Sequence, residues 1–161
     1  MTKQESLTLS LAIYAILAKV RKQGLMSIEC EIEYPDKSEI LCTVPSDVLP
    51  LVCDILRLMV GGNLEPTDIK EYAAHMIENN TGWSKSSDAQ KFVAQALLSA
   101  CQGYAPQVCI EFARSTIPQK HRPAFVEMED FVKAHKYDFD KKEETRTVDD
   151  RIAYVMKLLS A

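Results

Sequence analysis

The sequence predicts an all-α fold, a helical bundle of about seven helices, from three observations. Apolar residues recur at steps of three and four in several segments, which is the spacing of an amphipathic helix. Glycine and proline are few, at 5 and 7 of 161 residues, which disfavours a turn-rich all-β fold. Apolar residues make up 47% of the chain, and a chain of this length buries roughly 70% of its unfolded surface. We therefore expect a hydrophobic core that needs no disulfides.

The first predicted helix covers residues 5–23. Gly24 is predicted to end it, because glycine readily adopts the left-handed conformation that follows many helices. Three cations in its last turns complement the helix dipole. The following segment, Ser27–Tyr34, has two interpretations. Its strict alternation of apolar residues with glutamates is typical of a strand, whereas the three glutamates and Ser27 as a cap favour a short helix. The pattern alone leaves both open.

The next two helices are marked by turn residues at their ends. Residues 46–60 are apolar nearly all round, which predicts a buried helix capped by Ser46 or Asp47 and closed by two glycines. Pro66 suits a first-turn position and begins a helix that runs to about Asn80. The segment Thr81–Ser87 is rich in polar and small residues and is predicted to be a linker.

Four further helices are predicted after this linker. Their bounds are Asp88–Gln102, Pro106 to about Thr116, Pro123 to about His135, and a last amphipathic helix capped by residues 147–150. The last helix carries Ile152, Val155, Met156 and Leu159 on one face.

Charge and motif content exclude several classes of function. The formal net charge of -4 argues against a nucleic-acid or anionic-membrane binder, which would need a basic excess. The five cysteines have irregular spacing and form no C-x-x-C pair, which indicates reduced, mostly buried thiols. The sequence has no metal-ligand spacing and no phosphate-binding glycine motif. We therefore expect no cofactor, no metal site and no enzymatic activity.

No segment is predicted to cross a membrane or to direct secretion. The most apolar uninterrupted run near the N-terminus, Leu11–Ala18, has eight residues, whereas a spanning helix needs about 20. Residues 1–10 lack the long apolar run and the cleavage site of a signal peptide. We expect no membrane insertion by this chain.

The most distinctive sequence feature is electrostatic. A basic cluster of Lys19, Arg21 and Lys22 precedes an acidic run that begins with Glu29, Glu31 and Glu33, and only a short turn separates them. A helix, a turn and a second element would bring these opposite charges to one end of the molecule. The ordinary interpretation is a pair of solvated faces whose ion pairs each contribute about 0–1 kcal/mol.

Two stretches resemble the MotA family of flagellar motor stator subunits, which includes PomA of sodium-driven motors. The first is Leu17–Glu33, LAKVRKQGLMSIECEIE, and it continues through Ser38–Ile40 and Asp54–Leu58. The second is Leu97–Val132, with the elements G-Y-A-P, E-F-A-R and R-P-A-F-V-E-M-E in family order. The resemblance covers roughly residues 7–136.

The resemblance implies a protein–protein contact instead of catalysis. In the MotA family a cytoplasmic charge pair meets charged residues on the C-terminal domain of the rotor protein FliG, and this pair corresponds to Arg21 and Glu29. Lys19, Lys22, Glu31 and Glu33 would then be accessory charges of the same surface. The family also implies a helical Ser27–Tyr34 and a structural joint at Pro106.

The chain departs from the family in its membrane part. MotA has four transmembrane helices, two before the region like Ser6–Asn80 and two between it and the region like Phe92–Val132. About ten residues, Asn80–Ala89, stand in place of the second pair. We therefore expect either an excised cytoplasmic domain or a natural soluble relative that acts as a decoy or regulator of the motor. In the parent complex of the bacterial inner membrane, the partners would be MotB and other MotA copies.

The resemblance also divides the chain into four parts. Residues 1–80 correspond to the cytoplasmic loop of MotA, residues 81–88 to a linker in place of a transmembrane pair, and residues 89–136 to the cytoplasmic tail. Residues 137–161 form a charged connection and an amphipathic helix without a counterpart in the family.

Overall fold

A computed structural model describes residues 1–79 and 87–139, together with Ile152, Met156, Leu159 and Ser160. Within these residues the fold is all-α, as predicted, with seven α-helices and no strand. None of the helices formed by these residues has the length and hydropathy of a membrane-spanning helix. The helices are α1 Lys3–Gln23, α2 Glu29–Glu33, α3 Leu49–Gly61, α4 Pro66–Asn79, α5 Ser87–Cys101, α6 Pro106–Arg114 and α7 Phe125–His135.

Helix α1 is the longest element and is fixed at both ends by local hydrogen bonds. The Thr2 hydroxyl accepts from the Glu5 N–H while the Glu5 carboxylate accepts from the Thr2 N–H, which is a complete capping box. At the other end Gly24 has φ 89° and donates its N–H to the Val20 carbonyl at 2.7 Å. The prediction of a helix that stops at Gly24 is therefore confirmed.

The segment after Gly24 is helical, which settles the alternatives that the sequence left open. A 3-10 helix at Leu25–Ile28 leads directly into α2, so Ser27–Tyr34 contains no strand. The prediction that Ser27 caps this helix is wrong. Ile28 precedes α2, and the Ser27 hydroxyl donates to the Gly24 carbonyl at 2.6 Å, because that acceptor lies one turn back along the 3-10 helix.

The predicted caps of α3 are also wrong, although the helix itself is confirmed. Ser46 and Asp47 lie in a turn before the helix, and Val48 is the residue that precedes α3, with no side-chain cap. Pro50 explains the shift. Proline lacks an N–H, and it is favoured in the first helical turn, where no backbone acceptor is available.

The two helices that flank the predicted linker begin close to where the sequence indicates. Pro66 is the first residue of α4, as predicted, and α5 begins at Ser87, one residue before the predicted Asp88. The predicted linker 81–88 lies outside the described residues apart from its last two, which belong to α5. Helices α4 and α5 pack against each other.

Helices α6 and α7 follow α5 in the described part of the chain. Pro106 opens α6, as predicted. The prediction that α7 starts at Pro123 is wrong, since Ala124 is extended and α7 begins at Phe125. The Pro123 carbonyl accepts a hydrogen bond from the Arg114 guanidinium at 3.1 Å, which ties this residue to the end of α6.

One contiguous core includes residues from the helices α1–α4 and from the helices α5–α7. Fully buried side chains of α1, α3 and α5 meet there, among them Ile16, Leu56 and Phe92. Helix α1 also contacts α6 and α7, so it lies centrally in the bundle. Of the predicted last helix only single residues are described, and Ile152, Met156 and Leu159 are exposed. Its predicted cap at 147–150 and Val155 lie outside the described residues.

Candidate partner-binding surface

Arg21 and Glu29 lie on either side of the Gly24 turn. Arg21 is in the last turn of α1, and Glu29 is the first residue of α2. Both side chains are exposed. Neither forms an ion pair with any residue that the structure describes. Two opposite charges are therefore available to a partner near one end of the bundle.

Lys19 and Glu31, two of the predicted accessory charges, pair with each other. The Lys19 Nζ lies 3.2 Å from the Glu31 Oε2, and the two side chains are 22% and 9% exposed. The other carboxylate oxygen, Oε1, accepts a hydrogen bond from the buried Ser38 hydroxyl at 2.9 Å. Oε2 accepts no hydrogen bond from a described residue. The nearby ammonium of Lys19 therefore balances the charge of this oxygen. This pair joins α1 to α2 and to the segment at Ser38.

The other two accessory charges remain exposed. Lys22 lies in the last turn of α1, and Glu33 is the last residue of α2. Neither forms an ion pair with a described residue. Of the four accessory charges, the structure thus leaves one cation and one anion accessible beside Arg21 and Glu29.

Arg21 and Pro106 border the same open groove. The groove has a volume of about 440 Å³ and lies between the end of α1, the α3–α4 loop and the α5–α6 joint. The two residues are 85 positions apart in the chain, yet the bundle brings them to one concave surface. Its lining residues are Leu17, Val20, Arg21, Leu25, Met59, Gly62, Asn63, Leu64, Ile69, Ala100, Cys101, Gly103, Tyr104 and Pro106.

Glu29 borders a second groove, whose lining includes two glutamates, one arginine and the apolar residues Ile32 and Val60. This groove has a volume of about 400 Å³, and Glu33, Tyr34 and Arg57 contribute to its walls. Arg57 forms an ion pair with Asp54 at 3.2 Å and donates to the Ile32 carbonyl at 3.5 Å, near the end of α2. Sequence reasoning did not assign Arg57 to the surface. The signal was its position, with Asp54, as one of the two charged residues in the otherwise apolar α3.

The joint between α5 and α6 is fixed by its backbone. Gly103 has φ 90°, a conformation that favours glycine. The Tyr104 N–H donates to the Ser99 carbonyl at 3.2 Å, and the Tyr104 carbonyl accepts from the Cys109 thiol at 3.4 Å. Helices α5 and α6 have the most extensive contact of any pair of elements described. The joint is therefore held on both sides of Pro106.

The cysteines divide into buried and exposed groups. Cys30 and Cys42 are exposed, whereas Cys53 and Cys109 are buried and Cys101 is half-buried. Burial raises the pKa of Cys53 and of Cys101, and it raises the pKa of Cys109 to about 11. Among the described residues, no group of three or more His, Cys, Asp or Glu side chains could hold a metal ion.

Sequence comparison finds two relatives over most of the chain. Motility protein A of Salmonella typhimurium is 24% identical over 212 residues, covering 83% of this chain and 72% of the relative. Motility protein A of Escherichia coli is 23% identical over 214 residues, covering 84% and 72%. The aligned spans are longer than the 161-residue chain, so parts of the relatives inside them have no counterpart here. No protein-family model and no solved structure matches.

These matches show a MotA-like relationship at modest identity. Both relatives are named as motility proteins and neither is named as an enzyme.

Proposed function

We propose that this chain is a MotA-like stator domain that contacts the flagellar rotor through Arg21 and Glu29 and acts in torque generation, not in catalysis. The observation that carries the proposal is the pair of exposed opposite charges on either side of the Gly24 turn, neither of which forms an ion pair with a described residue. The similarity to two motility proteins supports the same assignment.

The proposed partner is the C-terminal domain of the rotor protein FliG, on the cytoplasmic side of the bacterial inner membrane. MotB and further MotA-like copies would be partners within the stator. Ion flow through the membrane part of the stator would move this surface against the rotor. Charge pairs suit such a repeated contact, because they steer the encounter strongly and add little net affinity. We expect weak binding that fades with salt.

The direct test is a titration of this chain with the FliG C-terminal domain of the same organism, at low and at physiological salt. Arg21→Glu and Glu29→Lys are compared with matched controls that change the net charge equally. The controls are Lys120→Glu, on the exposed loop before α7, and Glu71→Lys, on an exposed position of α4. We expect both site variants to weaken binding and both controls to leave it within about twofold.

A compensating charge reversal on the rotor domain sharpens this test. If direct pairing holds, a reversed partner residue restores binding to one of the two site variants and not to the other. Binding that responds equally to the site variants and to their controls would reject the assignment, because it would then follow net charge alone.

A second candidate function is a decoy or regulator that competes with intact stators for the same rotor surface. It is favoured by the aligned spans, which include segments of the relatives that this chain lacks. Expression of the chain in motile cells separates the two proposals. A decoy competes well enough to slow swimming, and Arg21→Glu abolishes that effect, whereas an isolated stator domain, whose rotor binding is weak, leaves swimming speed unchanged.

A further inference from the structure

The groove beside Arg21 combines apolar walls with a single formal charge. Its volume of about 440 Å³ falls within the range of about 300–1,000 Å³ that is typical of ligand pockets. Leu17, Val20 and Met59 are among its apolar lining residues, as is Leu64 on the α3–α4 loop, which is 41% exposed. Among the lining residues, Arg21 alone carries a charge at neutral pH.

This combination restricts what the groove can hold. A small inorganic anion would pair with Arg21 but would leave the apolar walls in contact with water. A purely apolar group would cover the walls but would remove water from the guanidinium without giving it a partner, which is costly. An apolar side chain next to a carboxylate satisfies both, and arginine suits this role because its planar donor fork binds a carboxylate with two hydrogen bonds.

We propose that the Arg21 groove is a subsite for a large apolar side chain of the protein partner, with a neighbouring partner carboxylate on Arg21. On a helix, the two residues would lie three or four positions apart, since these positions share one face. The inference rests on the proposed function and extends it: the contact includes a buried apolar anchor beside the charge pair. Such anchors carry most of the binding energy in many interfaces.

Filling the groove without changing its charge tests this inference. Ala100, half-buried in the last turn of α5, lines the groove, so Ala100→Trp should occupy it. Ala74→Trp on the exposed side of α4 is the matched control, because it adds the same side chain outside the groove. Leu64→Ala removes an apolar lining side chain that lies on an exposed loop. This variant replaces Ala100→Trp if the latter does not fold. Its control is Val126→Ala, on an exposed position of α7.

Two probes are used on the full chain. With the FliG C-terminal domain, we expect binding at least about tenfold weaker for Ala100→Trp and severalfold weaker for Leu64→Ala, with both controls within about twofold. With anilinonaphthalene sulfonate, an aromatic anion, we expect fluorescence enhancement that Ala100→Trp abolishes and Arg21→Glu reduces. Ala74→Trp should leave the dye signal unchanged.

The outcomes separate this inference from the proposed function. Rotor binding that responds to Arg21→Glu but not to Ala100→Trp or Leu64→Ala overturns the apolar subsite and leaves the rotor contact standing. If the rotor domain does not bind at all, the proposed function fails and the dye decides the subsite. Dye binding that is insensitive to both Ala100→Trp and Arg21→Glu overturns the groove as a site for an apolar anion.

Discussion

Two pairs of opposite charges on the same stretch of chain have different environments. Lys19 and Glu31 face each other at 3.2 Å and are largely shielded from solvent. Arg21 and Glu29, each two residues away from a member of that pair, are exposed and make no ion pair in the described part of the chain. The four residues have similar chemistry, so the difference between the pairs comes from where the helices place them.

Helical geometry explains the difference. Successive residues of an α-helix are rotated by about 100°, so positions two apart lie about 200° apart around the axis. Lys19 therefore faces α2, whereas Arg21 lies on another side of α1. The same rotation separates Glu31 from Glu29 on α2. The inner pair joins two helices, and the outer pair remains available to a partner.

The largest effect is expected from breaking the inner pair. Lys19→Met leaves the shielded Glu31 carboxylate without its ammonium, and loss of one partner of such a pair costs on the order of 3 kcal/mol. Urea unfolding, monitored by circular dichroism, measures the free energy of unfolding. Lys22→Met, an exposed cation three residues on, is the control and should change it by less than about 0.5 kcal/mol. Equal losses of unfolding free energy in the two variants would contradict the distinction between shielded and exposed charges.

A smaller effect is expected from the hydroxyl that supports the same carboxylate. The Ser38 hydroxyl donates to Glu31 Oε1 at 2.9 Å and accepts from the Leu41 N–H at 3.0 Å, and the site is buried. Ser38→Ala leaves both groups unsatisfied, which costs about 1–3 kcal/mol. The control is Ser115→Ala, whose exposed hydroxyl donates to the Phe112 carbonyl one turn back. An unchanged free energy of unfolding in Ser38→Ala would show that the bond from Ser38 to Glu31 does not stabilise the fold.

The smallest effect on stability is expected from the outer pair. Arg21→Met and Glu29→Gln remove exposed charges that have no described partner, so each should change the free energy of unfolding by less than about 0.5 kcal/mol. The same urea experiment measures it. A loss above about 1 kcal/mol in either variant would reveal a structural role for that charge and would weaken its assignment to a partner-binding surface.

Much of the fold was accessible from local sequence signals. The repeat of apolar residues in α1 and the glycine after it gave the bounds of that helix to within two residues, and Pro66 and Pro106 marked helix starts correctly. The errors lie where tertiary or turn geometry decides. Ser46 and Asp47 are good cap residues, but Pro50 moves the start of α3 beyond them. Pro123 lies before the extended Ala124 and is bonded to Arg114 of α6, a contact that no local pattern shows.

The candidate surface was predictable only as a set of charges. Arg21 and Glu29 were assigned through a resemblance, and the structure finds both exposed, but their roles remain predictions. Sequence could not show that Lys19 and Glu31 pair, because the alternation of charges in Ser27–Tyr34 fitted a strand equally well. It also could not show that Arg21 shares a groove with Pro106, since that proximity depends on the packing of α1 against α5 and α6.

The division of the cysteines has a practical consequence for measuring these contacts. The thiolate is the form that reacts with alkylating reagents, so burial and a raised pKa make Cys53, Cys101 and Cys109 slow to react near neutral pH. Cys30 and Cys42 are exposed, and Cys30 lines the Glu29 groove while Cys42 does not. The native chain therefore carries an attachment point for a fluorophore at the candidate surface and a second one outside that groove. Replacing either one by serine gives a singly labelled chain whose signal reports on one position.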